Sequence, residues 1–312
     1  MILVTGATGF VGKALVELLL TRSIDVSVLI RNEHDQVPGG VIKFISDLTD
    51  VVDWEPILQG TTSIVHVAGL AHILKSNSSS SGGDFESINT YGTINFARQA
   101  AKRGIKRFVF ISSVKANGET TLLGAPFSEL DQPSPSDPYG LSKFGAEQGL
   151  LEIARQTEME VVIIRPPLVY GHGVKANFAN MMRCVKKGVP LPLGAINNKR
   201  SLIALDNLVD FILLCTSHPK AANEVFFISD GEDVSTTVLL KKVAKAYDKS
   251  AILLPVPTGI LKLLARLMGK KDVVGRLLST LQVDSNKARQ LLNWTPVVTM
   301  DEQLKRIVEL EK

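Results

Sequence analysis

The chain has 312 residues, 45% of them apolar and 21% charged, a balance that excludes a disordered polypeptide and allows a sizeable core. A formal charge of +4 is too small an excess to argue for nucleic acid, and a mildly basic protein with an anionic substrate accounts for it. The two cysteines, Cys184 and Cys215, sit in no CxxC or Cys/His spacing, so no metal site is expected and both read as buried thiols of a reducing compartment.

The first apolar run, Ile2–Thr5, follows Met1 directly and leaves no room for a signal peptide, and no later run is long enough to span a bilayer. The expectation is a cytoplasmic protein with no stable membrane insertion. Further Val/Ile/Phe-rich runs follow at Asp25–Ile30, Ile42–Ile45, Ser63–Val67, Arg107–Ser112 and Glu160–Arg165. Continuous runs of this kind suit strands of a parallel sheet buried on both faces. Helical stretches at Gly12–Arg22, Asn89–Arg103 and Tyr139–Thr157 alternate with them, the order of a doubly wound α/β sheet.

Gly6, Gly9 and Gly12, in GATGFVG, stand between the first strand and the first helix. The first glycine permits the tight turn, the second lets a pyrophosphate approach the backbone, and the third lets helix and strand pack closely. Thr8, Phe10 and Val11 complete this cradle, where free N–H groups at the helix start face the phosphates. The reading is dinucleotide binding on a Rossmann-like sheet.

After Gly171 prolines interrupt the pattern and helices dominate, while Glu224–Ser229 reads as one more strand able to return to the sheet. We therefore expect a dinucleotide-binding domain over 1–171, with 207–231 returning to it, and a smaller, mostly helical substrate-binding lobe from 172–206 and 232–312. The stretch SNSSSSGG at 76–83 reads as a loop leaving the carboxyl edge of the sheet. The segment 260–271, leucine-rich with Lys262, Arg266, Lys270 and Lys271, has the pattern of a basic amphipathic helix. Packing of its apolar stripe on the second lobe is the favoured reading over contact with a membrane.

Tyr139 and Lys143 stand about one turn apart on a predicted helix and project from one face. A phenol of ordinary pKa near ~10 gives up its proton reluctantly, and a nearby ammonium favours the phenolate. Such a tyrosine exchanges a proton with a hydroxyl or carbonyl oxygen while hydride moves at carbon.

The GxxGxxG spacing and the further motifs, in order, resemble the extended short-chain dehydrogenase/reductase family, of the NAD-dependent epimerase/dehydratase kind. These motifs are Asp47-Leu48, the turn His66-Val67-Ala68-Gly69, Asn89 with Gly92 and Thr93, Ser112-Ser113, Pro138 to Lys143 as PYGLSK, and Arg165 to Gly171 as RPPLVYG. The resemblance implies an adenine contact at Asp47 and Leu48, and cofactor contacts at Val67, Ala68, Gly69, Asn89 and Pro166. It makes Ser113, Tyr139 and Lys143 the catalytic set, with Lys143 also holding the nicotinamide ribose and Ser112 the alternative hydroxyl one register away. More weakly, it places Asn177 and Arg200 on the diphosphate of a nucleotide sugar, with Arg276 as a second phosphate arginine. Relatives pair through the helices at 89–103 and 139–157, which implies a homodimer.

Strand two ends at Arg31, where an acidic residue would select NAD; an arginine suits the 2′-phosphate of NADP(H), although it could also stack on the adenine of NAD(H). Sugar dehydratases of this family carry an Asp-Glu pair where this chain has Val114-Lys115, so water loss is not expected. Two chemistries remain: reduction of a 4-keto group on a UDP-linked 2-acetamido-2,6-dideoxy sugar for bacterial polysaccharide synthesis, and 4-epimerisation of a UDP-hexose or UDP-N-acetylhexosamine. Arg31 tips the expectation toward reduction. A non-catalytic, cofactor-sensing scaffold is the reading from another class, and the presence of all three catalytic side chains speaks against it.

Overall fold

The computed structural model describes residues 1–48, 54–70, 84–269 and 271–311; the expected 76–83 loop lies outside the described residues. Strands β1 (Ile2–Thr5), β2 (Val26–Ile30), β3 (Ile42–Ile45), β4 (Ser63–His66), β5 (Arg107–Ile111), β6 (Glu160–Arg165) and β9 (Val225–Phe227) form one parallel sheet in the order β3-β2-β1-β4-β5-β6-β9. The order reverses between β1 and β4, so their carboxyl ends border the crevice where such sheets bind ligands.

Alternation along the strands divides the core in two. Val4, Val28, Val65, Val109 and Ile164 face one layer, built on helix α1 (Phe10–Thr21) and α6 (Leu205–Cys215). Leu3, Leu29, Ile64, Phe108, Phe110 and Ile163 face the other, covered by α3 (Thr93–Lys102) and α4 (Pro138–Gln156). A short helix α2 (Glu55–Leu58) closes that second layer beside Trp54.

The edge strand departs from the expectation of burial on both faces: Ile42 and Ile45 of β3 are 52% and 53% exposed. Among the described residues β3 is the edge strand and pairs with β2 alone. The stretch read as a continuous helix from Asn89 begins instead as a π-helical turn, Glu86–Gly92, before α3. Cys215 is buried as expected, and Cys184 is half-buried.

The second lobe has its own core of Tyr170, Phe178, Met182, Leu240, Val243, Leu304 and Ile307. It is built from the parallel pair β7 (Leu168–Tyr170) and β8 (Leu202–Ala204) with helices α5 (Ala176–Lys186), α7 (Thr236–Ala246), α8 (Thr258–Leu267) and α9 (Lys271–Leu278). Helix α10 (Asn286–Leu292) and Trp294, placed with this lobe from sequence, pack instead against the sheet, where Trp294 meets the Phe211 ring at 5.0 Å and donates Nε1–H to Asp210 at 2.9 Å. The last helix, α11 (Met300–Glu309), returns to the second lobe behind a capping box made by Thr299 and Glu302.

Candidate active site

The glycine turn is locked by backbone contact. Gly6 has φ +69°, and a Cβ there would lie 2.7 Å from the Ala68 backbone nitrogen. A Cβ on Gly12 would run into the Gly6 carbonyl, so α1 and the end of β1 meet only because both positions lack side chains. Gly9 caps α1 without any side-chain bond to the helix N–H groups, and Thr8 and Gly9 are exposed. Open donors at a helix start, beside a turn whose first and last residues are glycines, fit the pyrophosphate of a dinucleotide. Phe10 and Val11 are partly buried beneath this turn, against the core.

Arg31 leaves the end of β2 fully exposed, with no hydrogen bond or ion pair among the described residues. Leu48 is buried, and Asp47 is half-buried and already engaged. Val67 and Ala68 are half-buried, and the Ala68 N–H donates to Thr5 Oγ1 at 3.2 Å. Gly69 is exposed beside the Lys143 ammonium.

Asn89 holds this turn in place. Its Oδ1 accepts the Leu70 N–H at 2.8 Å, and its Nδ2 donates to the Leu70 carbonyl and to Ser142 Oγ, both at 3.0 Å. The side chain thus ties the β4 turn to α4 with its polar atoms spent on protein. Pro166 is buried, and its carbonyl accepts the Val114 N–H at 3.0 Å.

The Ser113 hydroxyl lies beside Tyr139, where it favours the phenolate. Ser113 also caps a short 3₁₀ turn, Val114–Ala116, by accepting the Lys115 N–H at 3.2 Å. Ser112 points to the other side of the strand, where it donates to Glu147 at 2.5 Å. The register therefore puts Ser113, and not Ser112, on the tyrosine.

Asp137 caps α4 by accepting the Gly140 N–H at 2.6 Å, and Lys115 pairs with both Asp137 and Glu119. That pair ties the 3₁₀ turn carrying Ser113 to the helix start carrying Tyr139. The Phe85 ring lies edge-on to Tyr139, 6.0 Å between centroids.

Lys143 is buried, donates to the Ile111 carbonyl at 2.9 Å, and sits 4.6 Å over the Phe110 ring. Burial pulls its ammonium down to about 8, with Glu147 opposing. The phenol of Tyr139 goes the other way, up to about 12, because burial outweighs the opposing effect of the Ser113 hydroxyl and the Asp137 carboxylate adds to the rise. This differs from the expected lowering by Lys143: the amine is spent on the strand end, and desolvation dominates at the phenol. Tyr139 is thus a proton donor at neutral pH in this state.

One turn beyond Lys143, Glu147 is fully buried and paired with Arg165 through bonds of 3.0 and 2.5 Å, while Arg165 Nη1 donates to Asn117 at 2.6 Å. This network couples α4, β6 and the serine strand end. Glu147 was not singled out from sequence, although an acid four residues after Lys143 on the same helix face is a readable signal. Lys115 and Asp137 were also missed as a pair, since 22 residues separate them.

On the second-lobe side, Arg200 donates Nη1 to the Arg276 carbonyl at 2.8 Å and to Ser279 Oγ at 3.1 Å. Burial lowers its pKa. The structure thus brings the two phosphate-arginine candidates together, Arg200 half-buried and Arg276 exposed. Asn177 is exposed on the first turn of α5. A cavity of about 320 Å³ opens elsewhere, between α5, α7 and the chain end, lined by His172, Arg183, Lys186, Tyr247 and Glu311. It shares no residue with the Ser113, Tyr139 and Lys143 group. Among the described residues no His/Cys/Asp/Glu group is arranged to hold a metal.

A doubly wound sheet with a dinucleotide turn and a Ser/Tyr/Lys cluster defines a short-chain dehydrogenase/reductase enzyme. The chain belongs to the NAD dependent epimerase/dehydratase family, which matches residues 2–229. It is similar to a UDP-glucose 4-epimerase of Vibrio cholerae, 47% identical over 99% of this chain and 94% of the relative. It is also similar to the N-acetyl-alpha-D-glucosaminyl-diphospho-ditrans,octacis-undecaprenol 4-epimerase of Escherichia coli O157:H7, 27% identical over 99% of this chain and 95% of the relative. Among solved structures, the UDP-glucose 4-epimerase of Thermotoga maritima with UDP-glucose superposes with a TM-score of 0.79, at 25% identity and over 99% and 97% of the two chains.

Proposed function

We propose that the protein is a 4-epimerase of a hexose or N-acetylhexosamine linked through a diphosphate, with a UDP-sugar as the first substrate to try. The observation that carries this reading is the placing of Ser113 beside Tyr139, with Lys143 one turn on, in a chain 47% identical over 99% of its length to a protein named as a UDP-glucose 4-epimerase. This places the epimerase above the 4-keto reductase that Arg31 had favoured.

A nicotinamide dinucleotide bound at the Gly6–Gly12 turn supplies the chemistry of taking a hydride from the sugar carbon and giving it back. The protein's own part is proton handling and position. Ser113 donates to the reacting sugar oxygen and holds it against the phenol. Tyr139 removes the proton of the sugar hydroxyl and returns it to the same oxygen once the carbon has inverted. Starting from about 12, the phenol needs positive charge nearby to act as a base, and Lys143 is the protein cation on its helix face. Asn89 and Gly69 shape the wall above Lys143.

Arg200, which uses only Nη1 on described protein groups, and Arg276, which has no side-chain partner among them, take the diphosphate, and Asn177, exposed at the start of α5, is the candidate for the sugar. Either dinucleotide serves an enzyme that returns its hydride, and Arg31 is the reason to expect NADP(H).

The test is to incubate the purified protein with UDP-glucose and with UDP-N-acetylglucosamine, without added cofactor, and to follow the 4-epimers by chromatography; a lipid-diphosphate sugar forms a third arm. Interconversion without net cofactor consumption is the expected result. Stoichiometric loss of NADPH on a UDP-linked 4-keto-6-deoxy sugar, with no epimer in any arm, restores the reductase reading.

A further inference from the structure

Helix α8 turns only Leu261 and Ala265 inward. Ile260, Leu263, Leu264, Leu267 and Met268, at spacings of three and four, form one apolar stripe and are 48% to 76% exposed. The packing expected from sequence is therefore not what the structure shows. The helix touches the second lobe with its narrow side and leaves the broad apolar side uncovered. A contiguous patch of this kind marks an interaction surface.

The charge in the helix's own sequence is of one sign. Residues 258–271 contain Lys262, Arg266, Lys270 and Lys271 and no Asp or Glu. Lys262 and Arg266 are exposed, stand one turn apart, and form the row beside Leu263 and Leu267. Neither has an ion-pair partner among the described residues. A second copy of the chain docking here about a two-fold axis would set these cations against their own images, with no carboxylate on the helix to pair them. An anionic lipid surface satisfies both features at once, acyl chains against the leucines and phosphates against the cations.

We propose that α8 lies in the interface of an anionic bilayer and docks the protein peripherally. The helix does not cross: its ten residues span about 15 Å, half the hydrocarbon thickness. Because α8 packs on α9, and the Arg276 carbonyl of α9 holds Arg200, docking places the arginine pair close to the headgroups. The proposal stands on this helix and is independent of the reaction assigned above.

The experiment is co-sedimentation of the full chain with vesicles of phosphatidylglycerol and phosphatidylethanolamine in equal parts, and with vesicles of phosphatidylcholine alone. We expect sedimentation with the anionic vesicles, roughly 30-fold weaker affinity for the neutral ones, and release by salt. The double variant Leu263→Glu, Leu267→Glu should stay in the supernatant while keeping its melting temperature and its turnover of a soluble substrate, which shows that it is folded. The proposal is overturned if the anionic vesicles leave the protein in solution, if both lipids bind it equally, or if the double variant sediments as the parent does. A dimer in light scattering that becomes a monomer in the double variant, with no vesicle binding, assigns the stripe to a second copy instead.

Discussion

The sheet side and the second-lobe side are held by different means. On the sheet side the groups fix one another: the buried pair of Glu147 with Arg165, the half-buried pair of Asp137 with Lys115, and the hydrogen bonds of Asn89 to the turn at Leu70. On the second-lobe side Arg200 rests on carbonyls and a serine at the end of α9, while the Asn177 and Arg276 side chains reach solvent with no partner among the described residues. The half read as chemistry is preorganised before any ligand arrives, and the half read as recognition is left for the ligand to complete.

The largest effect should come from the chemical half. Tyr139→Phe removes the only proton that group can carry, and we expect kcat to fall by roughly 10²- to 10⁴-fold, with cofactor affinity unchanged by fluorescence titration. A matching fall in cofactor affinity would mean that Tyr139 positions the dinucleotide and does not act on the substrate.

Stability should divide along the same line. Arg165→Met strands Glu147 as an unpaired buried carboxylate and should cost about 3–5 kcal/mol in denaturant unfolding. The ion pair that joins Arg306 of α11 in the second lobe to Asp206 of α6 is half-exposed, and Arg306→Ala should cost less than about 1 kcal/mol. Equal losses would erase the contrast.

These partners explain how far the sequence could be read. The glycine turn, the serine register and the Tyr/Lys pair lie within short motifs because each is a local geometry: a turn, an alternation, one helical turn. The parallel sheet was legible for the same reason, from β-rich runs separated by helices. Arg165 looked like part of a strand-end motif, whereas its partner Glu147 stands 18 residues away on another element. The shift of Tyr139 to about 12 is set by burial, which no motif spells out. The α8 stripe shows the limit clearly: periodicity says that the helix has an apolar side, and only the packing says which side is covered.

Acid should also act first on the sheet side. His66 is fully buried between Thr5 and Thr93, bonded to them at 2.9 and 3.0 Å. Burial, and then the charge of Lys143, drives its pKa from 6.5 down to about 3. The unfolded chain therefore takes up a proton that the folded one refuses. The stability this provides is whole above pH 6.5 and is lost as pH falls toward 3, by about 2 kcal/mol at pH 5. His66→Gln should flatten that part of the stability–pH curve; an unchanged curve would show that the acid sensitivity arises elsewhere.

The smallest effect tests the open half most directly. Arg200→Ala would break bonds to the protein as well as any contact with a diphosphate, so its outcome mixes folding with binding. Arg276 differs, because only its carbonyl is used internally and its side chain is exposed. Arg276→Ala should raise KM for a diphosphate sugar by roughly 5-fold, as for the loss of one exposed charge contact, and leave kcat unchanged. The added dependence on ionic strength should shrink with it, since a screened contact has been removed. A fall in kcat at constant KM would mean that the end of α9 is ordered in the reacting complex as firmly as Glu147 and Arg165 are ordered without ligand. The sheet side and the second-lobe side would then differ only until substrate binds.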